Sequence, residues 1–385
     1  MRVLFLTYHF LTDNGGGVFA SKAYINAFAS LSEECLLLYP VCGKEAVKDL
    51  DFHIKKIGID IGSYLSVWKL LYYLKGEYNY FLRSCFERYL KDFLPDVVVF
   101  DHSRISSGLL DIACAYNARI ITLHHNYEVE YIKGNDRSLK RYVAACWMKR
   151  IEKEALLKSD LNLFITATDL KQMRENYHIP VENSSVLGCF EYLLSKKKCF
   201  SSNGEEVPYK PVFVITGDLG GAQTEKSILI FLEEYYSDMI KIIPSHLLLI
   251  AGKRPSAFLK KRIKTFSAIE LIDTPMDMDY ILSKADYYLC PTMFGSGLKL
   301  RIMDGLKWGL PVLTHALSSR GYENLVRNGC VLVYHDRYSF REALNQLLII
   351  RYSKNDIYMN YISLFGFANG VKRLKFILSR FGFIE

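Results

Sequence analysis

The chain has 385 residues, half of them apolar and 23% charged, a balance that excludes a disordered or fibrous protein and a length that exceeds one ordinary core. Its formal charge of +8 favours anionic partners without choosing among nucleotides, lipid head groups and nucleic acid. The nine cysteines are odd in number, form no CxxC pair and mostly sit in apolar runs (Cys35, Cys85, Cys114, Cys146, Cys290), which speaks against a disulfide framework or zinc site and fits a reducing cytoplasm.

In chain order, the run Val3–Leu6 is interrupted by Thr7, Tyr8 and His9 and has no small-residue cleavage site after it. It reads as a buried first strand rather than a secretory leader. A glycine turn at 15–17 and a helix near 18–31 follow, then a strand at Cys35–Tyr39. Tyr64–Phe93 has helical spacing with cations interleaved. Asp96–Phe100 and Ala118–Leu123 read as buried strands, Lys140–Lys158 as a helix and Leu161–Thr166 as a strand. The segment Leu194–Lys210, with three consecutive lysines, a Ser-Ser-Asn-Gly run and Pro208, and with Pro211 just after it, reads as a linker.

The pattern then restarts. Strands are expected at Val212–Thr216, Leu247–Ala251, Glu270–Ile272, Tyr287–Leu289, Val312–Thr314 and Val331–Tyr334. Helices are expected near Thr224–Ser237, Ala257–Phe266, Asp279–Lys284 and Leu298–Trp308, and through the tail from Phe340. Alternation of this kind builds α/β domains, each a parallel sheet covered by helices. The expected division is 1–200, 201–365 and a C-terminal helix in 366–385 that returns to the first domain. No apolar run approaches the ~18–20 residues that span a bilayer.

Ligands of open parallel sheets bind beyond the carboxyl ends of the strands, so the loops there carry the chemistry. Gly15, Gly16 and Gly17 follow the first strand and open a helix, where backbone N–H groups can meet a phosphate or an acceptor hydroxyl; a plain tight turn has the same pattern. His124, in Thr122-Leu123-His124-His125, can bond a sugar hydroxyl, assist a leaving group, or satisfy loop backbone. Lys253 and Arg254 end a strand and can neutralise a diphosphate or form a solvated basic turn.

The most informative segment is Cys290–Val312. A strand delivers Gly295-Ser296-Gly297-Leu298-Lys299 to an expected helix start, an anion site with Lys299 in its first turn. Asp304 follows a turn and a half later, where a carboxylate can accept from a ribose diol. Asp277-Met278-Asp279 spells DxD but precedes a short helix, where Asp is a common N-cap; no metal site is assigned.

Cys290–Val312 resembles the donor-site signature of family 4 of the retaining glycosyltransferases, which have the GT-B fold: two Rossmann-like domains facing a central cleft. Gly309-Leu310-Pro311-Val312 matches the family's G-x-P-V. Asp304 stands at the second acidic position of its glutamate pair, implying a ribose contact. Ser296 stands at the first, and Gly295–Arg301 looks like the branch with G-S-G-x-K-x-K there. Gly15–Gly17, Pro95–Val98, Thr122–His124, Ile151–Thr168 and Ala285–Pro291 resemble further family stretches, which gives His124 the role beside the reacting sugar. Ile215–Lys226 departs from the family's Arg and Lys phosphate pair, leaving Lys226 as a partial match and Lys253 and Lys299 as substitutes.

The resemblance implies a metal-independent transferase with His124 and Lys299 as catalytic residues. Lys253, Thr274, Ser296, Gly297, Leu298, Lys299 and Asp304 would bind a UDP- or GDP-linked sugar, the one co-substrate, with no resident cofactor. The acceptor would be a saccharide or polyprenyl-linked saccharide at Gly15–Gly17, and the setting cell-surface polysaccharide synthesis. Residues 137–153 form a basic amphipathic stretch that can lie on the inner face of an anionic membrane or remain a solvated face. The alternative is an inactive GT-B partner or glycan-binding subunit. An NAD enzyme would need the GxGxxG that is absent, and no nucleic-acid recognition motif is present.

Overall fold

The computed structural model describes residues 1–385 except 14, 42–46, 52, 61–78, 80–81, 136–138, 179–181, 193–209, 296 and 351–352, with the backbone alone at 60, 134–135 and 139–141. The chain divides into two compact units, Met1–Leu194 with Leu364–Glu385, and Ser195–Ser363.

Among the described residues the first unit holds seven strands: β1 (Arg2–Thr7), β2 (Glu34–Val41), β3 (Lys55–Asp60), β4 (Val97–Asp101), β5 (Arg119–His124), β6 (Leu161–Phe164) and β7 (Ser184–Val186). Their order is β3-β2-β1-β4-β5-β6-β7, every pair parallel. β1 is central, with Val3 opposite Cys35 on one side and Val97 on the other. Val3–Leu6 are all buried because helices cover both faces, which is why the run is apolar without alternation. The chain lays β2 and β3 to one side of β1 and β4 onward to the other, so the order reverses between β1 and β4.

The helix Phe367–Arg380 belongs to this unit. Gly370 lies on Phe190, where a β-carbon would fall 2.2 Å from the ring. Arg373 donates to the carbonyls of Leu187, Cys189 and Leu364, and Arg119 donates to those of Phe381 and Gly382 beyond the helix end.

The second unit holds β8 (Val212–Asp218), β9 (Leu247–Lys253), β10 (Ile269–Asp273), β11 (Tyr287–Cys290), β12 (Val312–His315) and β13 (Val331–Tyr334). The parallel order β10-β9-β8-β11-β12-β13 reverses between β8 and β11. Phe213, Ile215, Ile250, Leu289, Phe231 and Tyr334 anchor its core. The helix expected over Thr224–Ser237 runs from Ala222 to Ile242 with one π turn at Phe231–Tyr235.

Two expectations change. The helix expected from Leu298 begins at Arg301 and ends at Lys307, because Gly295 and Gly297 hold φ of +88° and +70° and the chain needs one further turn to enter helical geometry. β3 and β7 were not expected; both are edge strands with polar residues and no apolar run. Most of Tyr64–Phe93 and the linker lie outside the described residues, and the described helix there is Arg83–Phe93. No helix among the described residues is long and apolar enough to cross a membrane.

Candidate functional site

In the second unit, β10, β9, β8 and β11 are neighbours with their carboxyl ends at one edge. The sheet order therefore gathers the loops that carry Thr274, Lys253, Gly217–Gly221 and Pro291–Leu300. Glycines clear this edge. A β-carbon on Gly252 would sit 1.9 Å from the carbonyl oxygen of Gly217, so the ends of β8 and β9 meet more closely than a side chain permits. A β-carbon on Gly295 would meet Gln223 at 2.5 Å.

Lys253 ends β9 exposed, its carbonyl accepting the N–H of Gly220 at 3.2 Å. Arg254, beside it, pairs with Asp218. Thr274, after β10, holds φ of +50°, an unfavourable region for a β-branched residue, and is fixed by its N–H to Gly252 O at 2.7 Å and its hydroxyl to Asp273 at 2.7 Å. Gly297 is buried, while Leu298 and Lys299 are half-buried. The carbonyl of Lys299 accepts the N–H of Ile302 at 3.0 Å and the hydroxyl of Tyr322 at 3.0 Å, which fixes its backbone just ahead of the helix. Asp304 lies in the first turn of Arg301–Lys307 with Lys307 Nζ at 3.6 Å. Ser296 lies outside the described residues.

Two further cations lie here: Arg301, to which the sequence assigns no role, and Lys226, the partial match to a phosphate pair. Arg301 donates from Nη2 to Thr224 Oγ1 at 3.1 Å and from Nη1 to Thr292 Oγ1 at 3.4 Å. Lys226 lies over the Phe294 ring at 4.5 Å. The repeated basic spacing Lys299-Leu300-Arg301 is the sequence signal for Arg301, and the helix starts at Arg301 rather than at Leu298.

Asp277 is an N-cap, accepting the N–H of Tyr280 at 3.1 Å, and Asp279 accepts from Trp308 Nε1 at 3.1 Å. Among the described residues no group of three His, Cys, Asp or Glu side chains is arranged to hold a metal ion.

In the first unit, Gly15 is the N-cap of the helix Gly16–Ser30 and no side chain caps it; Gly15 and Gly16 are exposed. Gly17 is pressed against His9, whose ring would lie 2.8 Å from a β-carbon there. His9 belongs to a polar cluster at the carboxyl ends of β1, β4 and β5, where the strand order reverses. The ring of His125 lies 5.8 Å from that of His9 and 5.5 Å from that of His102. His125 Nε2 meets Asp101 Oδ1 at 2.6 Å, and His102 Nε2 meets Glu128 Oε1 at 2.8 Å. Arg104 donates to Glu128 Oε2 at 2.5 Å.

Burial alone would raise the carboxyls of Asp101 and Glu128, but His125 on the first and His102 with Arg104 on the second outweigh it and hold both below the usual range. Burial pushes His9 down to about 4, and its Nε2 has no hydrogen-bond partner among the described residues.

His124 departs from its expected placement. Its ring is sealed in the core, stacked on Phe164 at 4.7 Å with Nε2 on Asn162 Oδ1 at 2.9 Å, and burial pushes its pKa down to about 4. Alternation along β5 turns His124 to the same side as Thr122, toward β6 and the helix Leu139–Lys158, so the ring that joins the polar cluster is that of His125.

Residues 210–349 match the family model described as Glycosyl transferases group 1. The whole chain is similar to sucrose-phosphate synthase from Thermosynechococcus elongatus, at 13% identity, 98% of each chain and a TM-score of 0.73. It is also similar to Anabaena Alr3699/HepE in complex with UDP and glucose, at 11% identity, 98% of this chain, 99% of that chain and 0.64. WaaG, a glycosyltransferase involved in lipopolysaccharide biosynthesis, aligns at 13% identity, 98% of this chain, 99% of that chain and 0.60. These likenesses establish the fold as GT-B. No curated protein sequence matches the chain.

Proposed function

We propose that this protein is a glycosyltransferase that moves a sugar from a UDP- or GDP-linked donor to a saccharide or polyprenyl-linked saccharide, with retention at the anomeric carbon. The observation that carries the reading is the carboxyl edge of the second sheet. There glycine-cleared backbone at Gly217, Gly252 and Gly295 adjoins segments bearing Lys226, Lys253, Lys299 and Arg301, inside the stretch that matches Glycosyl transferases group 1. The UDP and glucose held by a protein of the same fold support a nucleotide-sugar donor.

In this reading Asp304 accepts from the ribose diol, and Thr274 lines the nucleobase side. The backbone of Gly297–Lys299, with Ser296, receives the diphosphate, and Lys253 and Lys299 neutralise it. Negative charge grows on the diphosphate as the glycosidic bond breaks, so preorganised cations there lower the barrier without a metal ion. The acceptor is taken on the first unit at Gly15–Gly17 and the imidazole of His125, which Asp101 orients; His124 supports that strand end from the core. Retention follows if the acceptor attacks on the face the diphosphate leaves, the leaving group itself taking the hydroxyl proton. Exposed Tyr142, Lys149, Arg150 and Lys153 on one helix support contact with the head groups of a membrane that carries the acceptor. That contact suits work at the cytoplasmic face in cell-surface polysaccharide synthesis.

A thermal-shift screen of the full chain against UDP- and GDP-sugars tests the donor assignment. One sugar nucleotide should raise the midpoint in proportion to the logarithm of its concentration, in EDTA as well as in magnesium. No shift with any member of the panel rejects it.

A further inference from the structure

The crevice between β8 and β11, where the order of the second sheet reverses, holds one side chain in a telling position. Gly217 lies near the end of β8 with φ of +148°, and a β-carbon on it would fall 3.0 Å from Arg301 Nη1 and 3.1 Å from its Cζ. The guanidinium therefore fills the space a side chain from β8 would take, although it comes from the first residue of the helix Arg301–Lys307. It is half-buried, and its two hydrogen bonds go to neutral hydroxyls, Thr224 Oγ1 and Thr292 Oγ1. Among the described residues no carboxylate pairs with it. Asp218, the last residue of β8, pairs with Arg254, and Asp304 on its own helix lies by Lys307.

A guanidinium has five N–H donors, and two hydroxyls leave most of that fork unanswered. A cation partly withdrawn from water with neutral partners alone is costly unless an anion completes its shell. The fork matches the oxygens of phosphate two at a time.

We propose that Arg301 grips the diphosphate of the donor at this crevice, and that residue 217 is glycine to admit it. The proposal rests on the nucleotide-sugar reading and adds to it a phosphate residue beyond Lys253 and Lys299. Thr224 and Thr292 aim the fork, which makes them positioning residues.

The test is calorimetric titration of the full chain with UDP, GDP, the two nucleosides and inorganic pyrophosphate. Arg301→Gln should weaken the preferred nucleoside diphosphate by about tenfold or more while changing its nucleoside by less than about twofold, since a hydrogen bond to a charged group is lost only where phosphate is present. Arg301→Lys should recover part of the loss, because the ammonium keeps the charge without the fork. If Arg301→Gln does not fold, Arg301→Lys decides, with a loss confined to the diphosphate. Undiminished diphosphate affinity in Arg301→Gln, or equal losses for nucleoside and diphosphate, overturns the proposal and leaves the nucleotide reading standing. A wild-type chain that ignores both nucleotides yet binds pyrophosphate through Arg301 overturns the nucleotide reading and leaves the anion site. A wild-type chain that binds none of the probes overturns both.

Discussion

Glu152 Oε1 accepts the backbone N–H of Glu128 at 2.7 Å, so a carboxyl on the helix Leu139–Lys158 caps the start of the helix Glu128–Asn135. Tyr177 donates to its other oxygen at 2.6 Å. Glu128 in turn holds His102 and Arg104, which ties the core to the polar cluster at the end of β4.

Burial pushes the Glu152 carboxyl up to about 8 from an ordinary value of 4.5. Between those values the folded chain keeps a proton that the unfolded chain has released, so this group lowers stability as pH rises through that window. Glu152→Gln removes the titration and keeps the shape. Its thermal midpoint relative to wild type should rise by at least about 2 °C between pH 5 and pH 8. A constant difference would place the carboxyl in its ionised form throughout.

His9 and His124 carry the opposite sign. Burial pushes both down to about 4, so between 6.5 and 4 the unfolded chain binds protons that the folded chain refuses. Stability should fall as pH drops through that range, before most carboxylates titrate. His124→Gln, which can keep the bond to Asn162, should soften the fall, as read by denaturant midpoints at several pH values.

Two helical glycines are set by aromatic rings in different units. A β-carbon on Gly305 would fall 2.5 Å from the Tyr288 ring, and one on Gly370 would fall 2.2 Å from Phe190. Each change to alanine should cost about 1–3 kcal/mol by overpacking, despite the better helix propensity of alanine. Because each change falls in a different unit, the two penalties should add. Urea unfolding of both single variants and the double variant measures this.

Lys299→Ala and Asp304→Ala should each lower turnover by about a hundredfold or more while leaving the far-ultraviolet spectrum and thermal midpoint near wild type. Lys299 is held by its carbonyl, which alanine keeps, and Asp304 is partly exposed, so neither change opens the core. Near-normal rates in both variants would remove them from the donor site.

Apolar runs made most of the fold legible. Val3–Leu6, Val97–Phe100 and Val212–Ile215 are central strands covered on both faces, and such strands must be continuously apolar. β3 and β7 lie at sheet edges, where Lys55, Lys56, Ser184 and Ser185 are tolerated and no run marks the strand. The loop proposed to take the donor is legible as glycine and cation after a strand. The role proposed for Arg301 is not, because it depends on Gly217 lying against it from 84 positions away. His124 and His125 are adjacent letters, and the cross-strand partners Phe164 and Asn162 on β6, which only the sheet pairing brings beside His124, seal that ring and not its neighbour.

Sugar-nucleotide turnover by the intact chain is the most direct test of the proposed reaction. Incubated with UDP- and GDP-sugars and a polyprenyl-linked saccharide, the wild-type protein should release one nucleoside diphosphate in step with an elongated saccharide whose new linkage keeps the donor's anomeric configuration. An intact, folded chain that releases neither UDP nor GDP from any sugar nucleotide, with or without acceptor, would contradict it.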